Sequence, residues 1–393
     1  MQSLATPAWK SKEEAFLAQF GTHPTHITRS PGRINVIGEH TDYNLGLSLP
    51  AAIDKCFHFL VKQTGDQTTL YAIDMKESWE VGQPLSEESG HWAHYFQAMH
   101  QLAEEAGLKL EPIQCVFGGD IPVGGGLSSS AALCCGYLMT LNELFGWNKS
   151  RMDIALMAQQ AEHRVGIKCG LLDQMAVLFG KAGRAIELNF KDLSHQSFNL
   201  NLDGYALMLI DTKVKHSLVD SPYNKRRQAC EDTAAFVRKT HPSVDSVSDM
   251  TVEMLEAAKE EITPEMYRWS RFILKENARV IEAASCFEQG DLVGAGARMY
   301  ATHTGLSKEY EVSCEELDIL VDLAKADGRV LGARMMGGGF GGCTINLVQE
   351  DVKEEVAQFI LNGYKQKTGV DGAVYMIAIE DGVTVSPIES LPS

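Results

Sequence analysis

A run of three glycines and three serines between Pro122 and Ala132 constrains this chain more than any other feature of its sequence. The glycines allow the backbone to turn tightly and to approach a ligand without obstruction by side chains. The serines stand where a helix should begin, and Ala131, Ala132 and Leu133 can continue that helix. The first turn of a helix carries unpaired N–H groups and a partial positive charge, which together suit a phosphate. We therefore predict a phosphate-binding loop; the alternative is a glycine-rich turn before a capped helix. The chain contains no G-x-x-x-x-G-K-[ST], so the loop is not a Walker P-loop.

The composition limits the partners that this chain can have. Its 393 residues are 45% hydrophobic, enough for two domains with cores, and its formal net charge is −17. Without a long basic run, neither a nucleic acid nor an anionic membrane is expected as a partner. The N-terminus lacks the pattern of a signal peptide, no apolar stretch approaches membrane-spanning length, and the nine scattered cysteines form no C-x-x-C. We expect a cytoplasmic monomer with reduced cysteines.

The periodicity of apolar residues predicts a mixed α+β fold. A capping box that begins at Ser11 predicts a helix to Phe20. The other helices are predicted over 91–106, 152–165, most of 222–326 and 351–366. The strands are predicted at 25–30, within 48–64, as a hairpin near 68–82, at 114–118, at 206–210, around the glycines of 337–342 and at 373–379. We place a domain boundary near residue 180.

A polar cluster follows a short apolar alternation in the segment Gly32–Asn44. Glu39, His40 and Asp42 bring two carboxylates and an imidazole together, and such groups can hold several hydroxyls of a sugar. Arg33 stands at the entrance of the strand, where it could stabilise a carboxylate or a phosphoryl group. We predict a ligand site; the alternative is a polar turn.

Two acidic residues are candidates for the chemistry. Asp173 lies among apolar residues after a glycine, and buried carboxylates are rare unless they are paired. Glu162 stands at the edge of an amphipathic helix. The alternatives are that Asp173 caps the helix beginning at Gln174, and that Glu162 is a surface glutamate.

A second glycine-rich stretch, Gly332–Ile345, contains a formal G-x-G-x-x-G at Gly337, Gly339 and Gly342. A strand follows it, whereas a dinucleotide-binding turn must lead into a helix. We therefore expect a loop that packs beside the phosphate loop or the substrate, with a tight hairpin as the alternative.

These stretches together resemble the galactokinases of the GHMP kinase family. Residues 32–44 are similar to the galactokinase signature, 122–132 to the ATP-phosphate motif and 332–343 to the third motif of the family. Two further stretches, 92–95 and 310–318, also match, so the resemblance covers nearly the whole chain. It implies an α+β, two-domain GHMP kinase-like fold. The domain 1–180 would have a mixed sheet with helices, the domain 181–393 an antiparallel sheet with helices, and the active site would lie between them.

The resemblance implies ATP-dependent phosphorylation of the C1 hydroxyl of α-D-galactose to galactose 1-phosphate and ADP, as in galactose catabolism by the Leloir pathway. Asp173 would accept the C1 hydroxyl proton, and Arg33 would lie beside it. The sugar site would be lined by Glu39, His40, Asp42, Gly170 and Tyr223. ATP would be bound by Trp92, Gly124, Gly125, Gly126, Leu127, Ser128, Ser129 and Ser130. Mg²⁺ would be held by a loop serine, which we assign to Ser129, and by Glu162.

Two alternatives stay open at the level of sequence. The chain could phosphorylate a related sugar, such as N-acetylgalactosamine or arabinose. It could also be a sensor that binds galactose and ATP without turnover, although the intact Asp173, Arg33 and serine triplet favour an enzyme.

Overall fold

The computed structural model describes residues 9–85, 91–122, 126–167, 169–215 and 221–390. Within this part of the chain the helices are α1 (Lys10–Phe20), α2 (His91–Glu105), α3 (Ser129–Phe145), α4 (Arg151–Arg164), α5 (Leu172–Phe179), α6 (Ser221–Arg238), α7 (Val252–Ala258), α8 (Pro264–Gln289), α9 (Leu292–Lys308), α10 (Glu315–Ala326) and α11 (Lys353–Thr368). The strands are β1 (His26–Asn35), β2 (Leu47–Ser48), β3 (Pro50–Gln63), β4 (Thr69–Ala72), β5 (Glu77–Glu80), β6 (Ile113–Gly119), β7 (Arg184–Asn189), β8 (His195–Asn199), β9 (Tyr205–Lys215), β10 (Val330–Met335), β11 (Gly341–Gln349), β12 (Ala373–Ile377) and β13 (Thr384–Pro387).

The strands form one mixed sheet and one antiparallel sheet, with a small third sheet beside them. The mixed sheet has the order β13-β1-β3-β6-β4-β5, and only its β4–β6 pair is parallel among the described strands. The second sheet, β10-β11-β9-β12, is antiparallel throughout. Strands β2, β7 and β8 form the third. The predicted α+β fold, with a mixed sheet in the first half and an antiparallel sheet in the second, is confirmed.

Helices cover these sheets and bury two main cores. In the first half, α2 to α5 pack over the mixed sheet around aromatic side chains such as Phe59, Phe96 and Phe117. A second core joins the two halves, because Ile34 of β1 packs in one cluster with Leu209 of β9. Burial of such apolar area is the main force that holds the halves together.

The last strand of the chain returns to the first sheet. β13 pairs antiparallel with β1, with Thr28 opposite Val385. Its four residues end in a proline, which suits an edge strand but weakens the sequence signal, so the strand is missing from the prediction. The boundary near residue 180 stays a prediction.

Two local predictions are wrong. Helix α1 begins at Lys10 after Trp9, so Ser11 lies inside the first turn, and no side-chain cap forms at this end. The alternative that Asp173 caps a helix also fails, because α5 begins one residue earlier, after Leu171. In both cases the helix starts ahead of the polar residue, so that residue does not stand at the N-cap position.

In the part of the chain that the structure describes, no helix is both long and apolar enough to cross a lipid bilayer.

Candidate active site

The loops at the ends of these elements surround a cavity of about 120 Å³. Its walls come from both halves of the chain: Arg33, Asn35, Glu39, His40, Asp42, Leu172, Asp173, Gly337 and Gly338. The structure therefore places the polar cluster, Asp173 and the second glycine-rich stretch around one cavity.

Asp173 is held by two hydrogen-bond donors from different motifs. It lies in the first turn of α5, where a carboxylate is favoured by the helix dipole. Arg33, on β1, donates from Nε to Oδ1 of Asp173 at 2.6 Å, and the hydroxyl of Ser128 donates to Oδ2. The side chains of Arg33 and Asp173 are only 11% and 24% exposed, so this ion pair is partly protected from water. Two charge-assisted bonds fix the carboxylate at the edge of the cavity.

The predicted phosphate-binding loop contacts β1 closely through its backbone. The Arg33 N–H donates to the Leu127 carbonyl at 3.2 Å, and the Arg33 guanidinium donates to the carbonyl of Gly126. A Cβ on Gly32 would stand 2.9 Å from that Leu127 carbonyl, so glycine is needed for this approach. Arg33 thus ties the loop to the carboxylate of Asp173.

The predicted ATP-binding loop is described only in part. Gly124 and Gly125 lie outside the described residues, and α3 begins at Ser129 after them. Leu127 is buried in the core, so only its backbone could contact a ligand. Ser128 has a left-handed backbone (φ 57°), which strains a non-glycine residue. That conformation accompanies the bond from its hydroxyl to Asp173.

Glu39 is buried and fixed by the second half of the chain. Its Oε1 accepts hydrogen bonds from the guanidinium of Arg334 at 3.2 Å and from the Gly337 N–H at 2.9 Å. Arg334, on β10, is fully buried and also donates to the Val36 carbonyl at 2.8 Å. The second glycine-rich stretch is a hairpin between β10 and β11 and also lines the cavity.

His40 is held as a neutral imidazole. Burial, with a smaller contribution from the positive charge of Arg226, lowers the pKa of His40 to about 3. Its Nδ1 lies 2.9 Å from the Tyr43 hydroxyl, which lies 2.8 Å from the hydroxyl of Tyr310. A neutral ring can either donate to a sugar hydroxyl or accept from it.

Asp42 is packed against the backbone of Gly170. A Cβ at position 170 would lie 2.5 Å from Oδ2 of Asp42, so glycine is required there. Removal from water, and then the negative charges of Glu39 and Asp173, raise the pKa of Asp42 to about 6. A sugar hydroxyl could donate a hydrogen bond to this carboxylate.

Glu162 faces the start of α3. It lies on α4, is buried, and accepts hydrogen bonds from Gln174 and from the hydroxyl of Ser130. Burial raises the pKa of Glu162 to about 7. Successive helical residues point about 100° apart, so the neighbouring Ser129 faces another direction. The hydroxyl that contacts Glu162 is thus that of Ser130, whereas the sequence assignment for the metal was Ser129.

The donor chemistry beside Glu162 fits Mg²⁺. No group of three or more His, Cys, Asp or Glu side chains that could hold a metal ion occurs in the described ranges. Mg²⁺ in nucleotide sites, however, takes one or two protein oxygens and completes its shell with phosphate oxygens and water. A carboxylate and a hydroxyl at a helix N-terminus match that requirement.

The structure leaves the predicted roles of Trp92 and Tyr223 untested. Trp92 packs in the core against Phe96 and Phe117, and its Nε1 donates to Glu77 at 3.0 Å. Its place beside an adenine stays a prediction. Tyr223 lies on α6, but its side chain is outside the described part.

Two residues of the site received no role from sequence. Arg334 holds Glu39, and a charged residue between apolar residues of a strand was the signal that could have revealed it. Asn35 lines the cavity two residues after Arg33, on the same face of β1. An amide that follows Arg33 on the polar side of the alternation was the corresponding signal.

Three family models match the chain. The model described as the galactokinase galactose-binding signature matches residues 14–63. The N-terminal and C-terminal domain models of the GHMP kinases match residues 93–181 and 283–366. The matched ranges contain all nine residues that line the cavity.

Curated relatives and solved structures agree with these matches. Galactokinases of Thermosipho africanus and Thermotoga maritima are 36% and 34% identical to the chain, over 91% and 90% of it and 98% of each relative. A crystal structure of Lactococcus lactis galactokinase complexed with galactose superposes with a TM-score of 0.88 at 30% identity, covering 95% of this chain and 99% of the other. Methanococcus jannaschii mevalonate kinase, at 16% identity and a TM-score of 0.62, over 90% of this chain and 98% of its own, shares the fold.

Proposed function

The chain belongs to the galactokinase family of the GHMP kinases and phosphorylates galactose, and from that premise we propose how its cavity does so. The acceptor is the C1 hydroxyl of α-D-galactose, and the donor is ATP with Mg²⁺. The observation that carries this proposal is the placement of Asp173, bonded to both Arg33 and Ser128, between the sugar-binding cluster and the phosphate loop.

The sugar is held by acceptors and donors that complement its hydroxyls. Glu39 and Asp42 accept hydrogen bonds, and the neutral His40 can do either. Arg334 keeps the Glu39 carboxylate in position before the sugar arrives. Such preorganisation reduces the entropy lost when the substrate binds.

Asp173 accepts the proton of the C1 hydroxyl as that oxygen attacks the terminal phosphorus of ATP. The bond between that phosphorus and the bridging oxygen breaks, and ADP leaves. General base catalysis of this kind contributes roughly 10²- to 10⁴-fold to the rate. Arg33 compensates the negative charge of Asp173 and lies beside the carbonyl of Gly126, where the phosphate loop meets the sugar site. Phosphoryl transfer depends mainly on positioning and on the neutralisation of charge, and this arrangement supplies both.

The N-terminus of α3 and its serines bind the phosphates. Glu162 and Ser130 would hold Mg²⁺, which when bound neutralises negative charge on the phosphates. The hydrogen bond between these two side chains orients both oxygens toward the same region. The N–H groups of the first turn of α3 supply further donors to the phosphates.

The substrate is tested by a coupled assay of ADP release with Mg-ATP over galactose, N-acetylgalactosamine and arabinose. We expect the highest kcat/KM with galactose. An equal or higher kcat/KM on another sugar of the panel would overturn the choice of acceptor. Binding of galactose and ATP without ADP release would show a sensor instead of an enzyme.

A further inference from the structure

The side-chain amide of Asn35 stands out among the buried polar groups of the described residues. It is 2% exposed, and neither its Oδ1 nor its Nδ2 has a hydrogen-bond partner among the described residues. An amide that is buried without partners costs free energy, and most buried polar groups in native proteins are paired. This exception needs a physical reason.

The position of the amide supplies that reason. Asn35 and Arg33 lie on the same face of β1, and both line the cavity with Glu39, Asp42 and Asp173. The three carboxylates can only accept hydrogen bonds when ionised, and Arg33 can only donate. Asn35 is a neutral side chain that offers a donor and an acceptor together, which matches a sugar hydroxyl.

The backbone at this position is also fixed. The guanidinium of Arg334 donates to the carbonyl of Asn35 and to that of Val36, so the second half of the chain holds this end of β1. Among the described residues, the main chain of Asn35 thus has a partner while its side chain has none. The backbone that carries the amide is fixed at the wall of the cavity.

We propose that Asn35 binds galactose directly, donating a hydrogen bond from Nδ2 to one sugar hydroxyl and accepting another at Oδ1. This inference rests on the proposed function, since it names a further residue of the same sugar site. On binding, the sugar would supply hydrogen-bond partners that the described residues do not provide.

The proposal predicts opposite effects on affinity and stability. Asn35→Leu has nearly the same shape and removes both polar atoms. Because no protein hydrogen bond is lost, the melting temperature should stay the same or rise. The galactose Kd, measured by calorimetry, and the galactose KM should rise roughly 10- to 100-fold, the loss expected for two hydrogen bonds.

Asn346→Leu is the matched control. Asn346 is also buried, but it lies on β11 away from the cavity, and its Nδ2 donates to the Met208 carbonyl at 3.1 Å. The control should lower the melting temperature and leave the galactose KM unchanged. A merely structural Asn35 would behave as this control does, and that result would overturn the proposal.

Deoxy sugars identify the contact independently of stability. The unmodified enzyme and Asn35→Leu are compared on galactose and its monodeoxy derivatives. Removal of a hydroxyl that Asn35 contacts should weaken the binding of the sugar to the unmodified enzyme. In Asn35→Leu the same removal should change the Kd by no more than about twofold. If each deoxy sugar loses as much affinity with Asn35→Leu as with the unmodified enzyme, the contact is refuted. A rise in the ATP KM with an unchanged galactose KM would refute it too, by placing the amide at the phosphates.

Activity of the unmodified enzyme distinguishes failure of the proposed function from failure of the inference about Asn35. If it releases no ADP with galactose and Mg-ATP, the proposed function fails. If it does, and Asn35→Leu binds galactose as tightly as the unmodified enzyme, only the inference about Asn35 fails.

Discussion

The contact between Arg334 and Glu39 yields a quantitative prediction. Arg334 is 0% exposed, and its guanidinium donates to Oε1 of Glu39 at 3.2 Å, to the Val36 carbonyl at 2.8 Å and to the Met335 carbonyl at 2.6 Å. Glu39 and Arg334 are separated by 295 positions, so the contact joins the two halves of the chain. Removing it should loosen both the fold and the sugar site.

The expected loss is large because the removal is one-sided. Arg334→Met has a similar length but no charge, and it leaves the buried Glu39 with the Gly337 N–H as its remaining donor in the described structure. Breaking a buried ion pair in this way costs about 3–5 kcal/mol. Arg334→Met should therefore lower the free energy of unfolding by about that amount, measured by denaturant titration. The galactose KM should rise at least tenfold, because Glu39 no longer has a fixed position.

The double variant and a surface control test the cause. Arg334→Met with Glu39→Gln should recover part of the lost stability, because no uncompensated charge stays buried. Arg298→Met is the control: Arg298 is 37% exposed and pairs with Glu282, which is 53% exposed. Its removal should cost less than about 1 kcal/mol. An Arg334→Met variant as stable as this control, with an unchanged galactose KM, would refute the reasoning.

Four further predictions concern the sugar site and the metal site. The galactose KM should rise as pH falls through about 6, where Asp42 gains a proton, and Asp42→Asn should remove this limb of the pH profile; a limb that persists in the variant would assign it to another group. Since the pKa of Asp42 is raised from 3.8 to about 6 in the folded protein, the ligand-free enzyme should lose stability as pH rises across that interval, and Asp42→Asn should lose less. In a Mg²⁺ titration at fixed ATP, Ser130→Ala should raise the half-saturating Mg²⁺ concentration more than Ser129→Ala does; equal effects would contradict the contact between Ser130 and Glu162. Gly170→Ala should raise the galactose KM because its Cβ would displace Asp42, whereas Gly328→Ala, where no atom lies within 4 Å, should not; matching KM values would show that the loop moves freely.

Local patterns in the sequence predict the elements well where the signal lies within the element itself. Helix α4 is predicted at 152–165 and found at Arg151–Arg164, and the buried strand predicted at 206–210 forms part of β9. The apolar period of each segment decides its structure because one face must be buried. Strand β13 lacks such a period, and its existence depends on pairing with β1 at the far end of the chain.

The residues of the site also differ in whether a local pattern in the sequence can identify them. The motifs identify Asp173, Arg33 and the polar cluster as candidates, and the structure brings them around one cavity. The choice of serine depends on where α3 begins, since a shift of one residue turns a side chain by about 100°. The role of Arg334 depends on a contact between distant segments, which periodicity and local motifs do not encode.

The central claim is that Asp173 removes the proton of the sugar hydroxyl, and Asp173→Asn tests it most directly. The substitution keeps the shape of the side chain and an oxygen that can accept from Arg33. ADP release with galactose and Mg-ATP is measured together with the galactose Kd from calorimetry. The account predicts a fall in kcat of about 10²- to 10⁴-fold, with a galactose Kd that changes only a few-fold. A kcat within about tenfold of the unmodified enzyme, at similar galactose affinity, would contradict it.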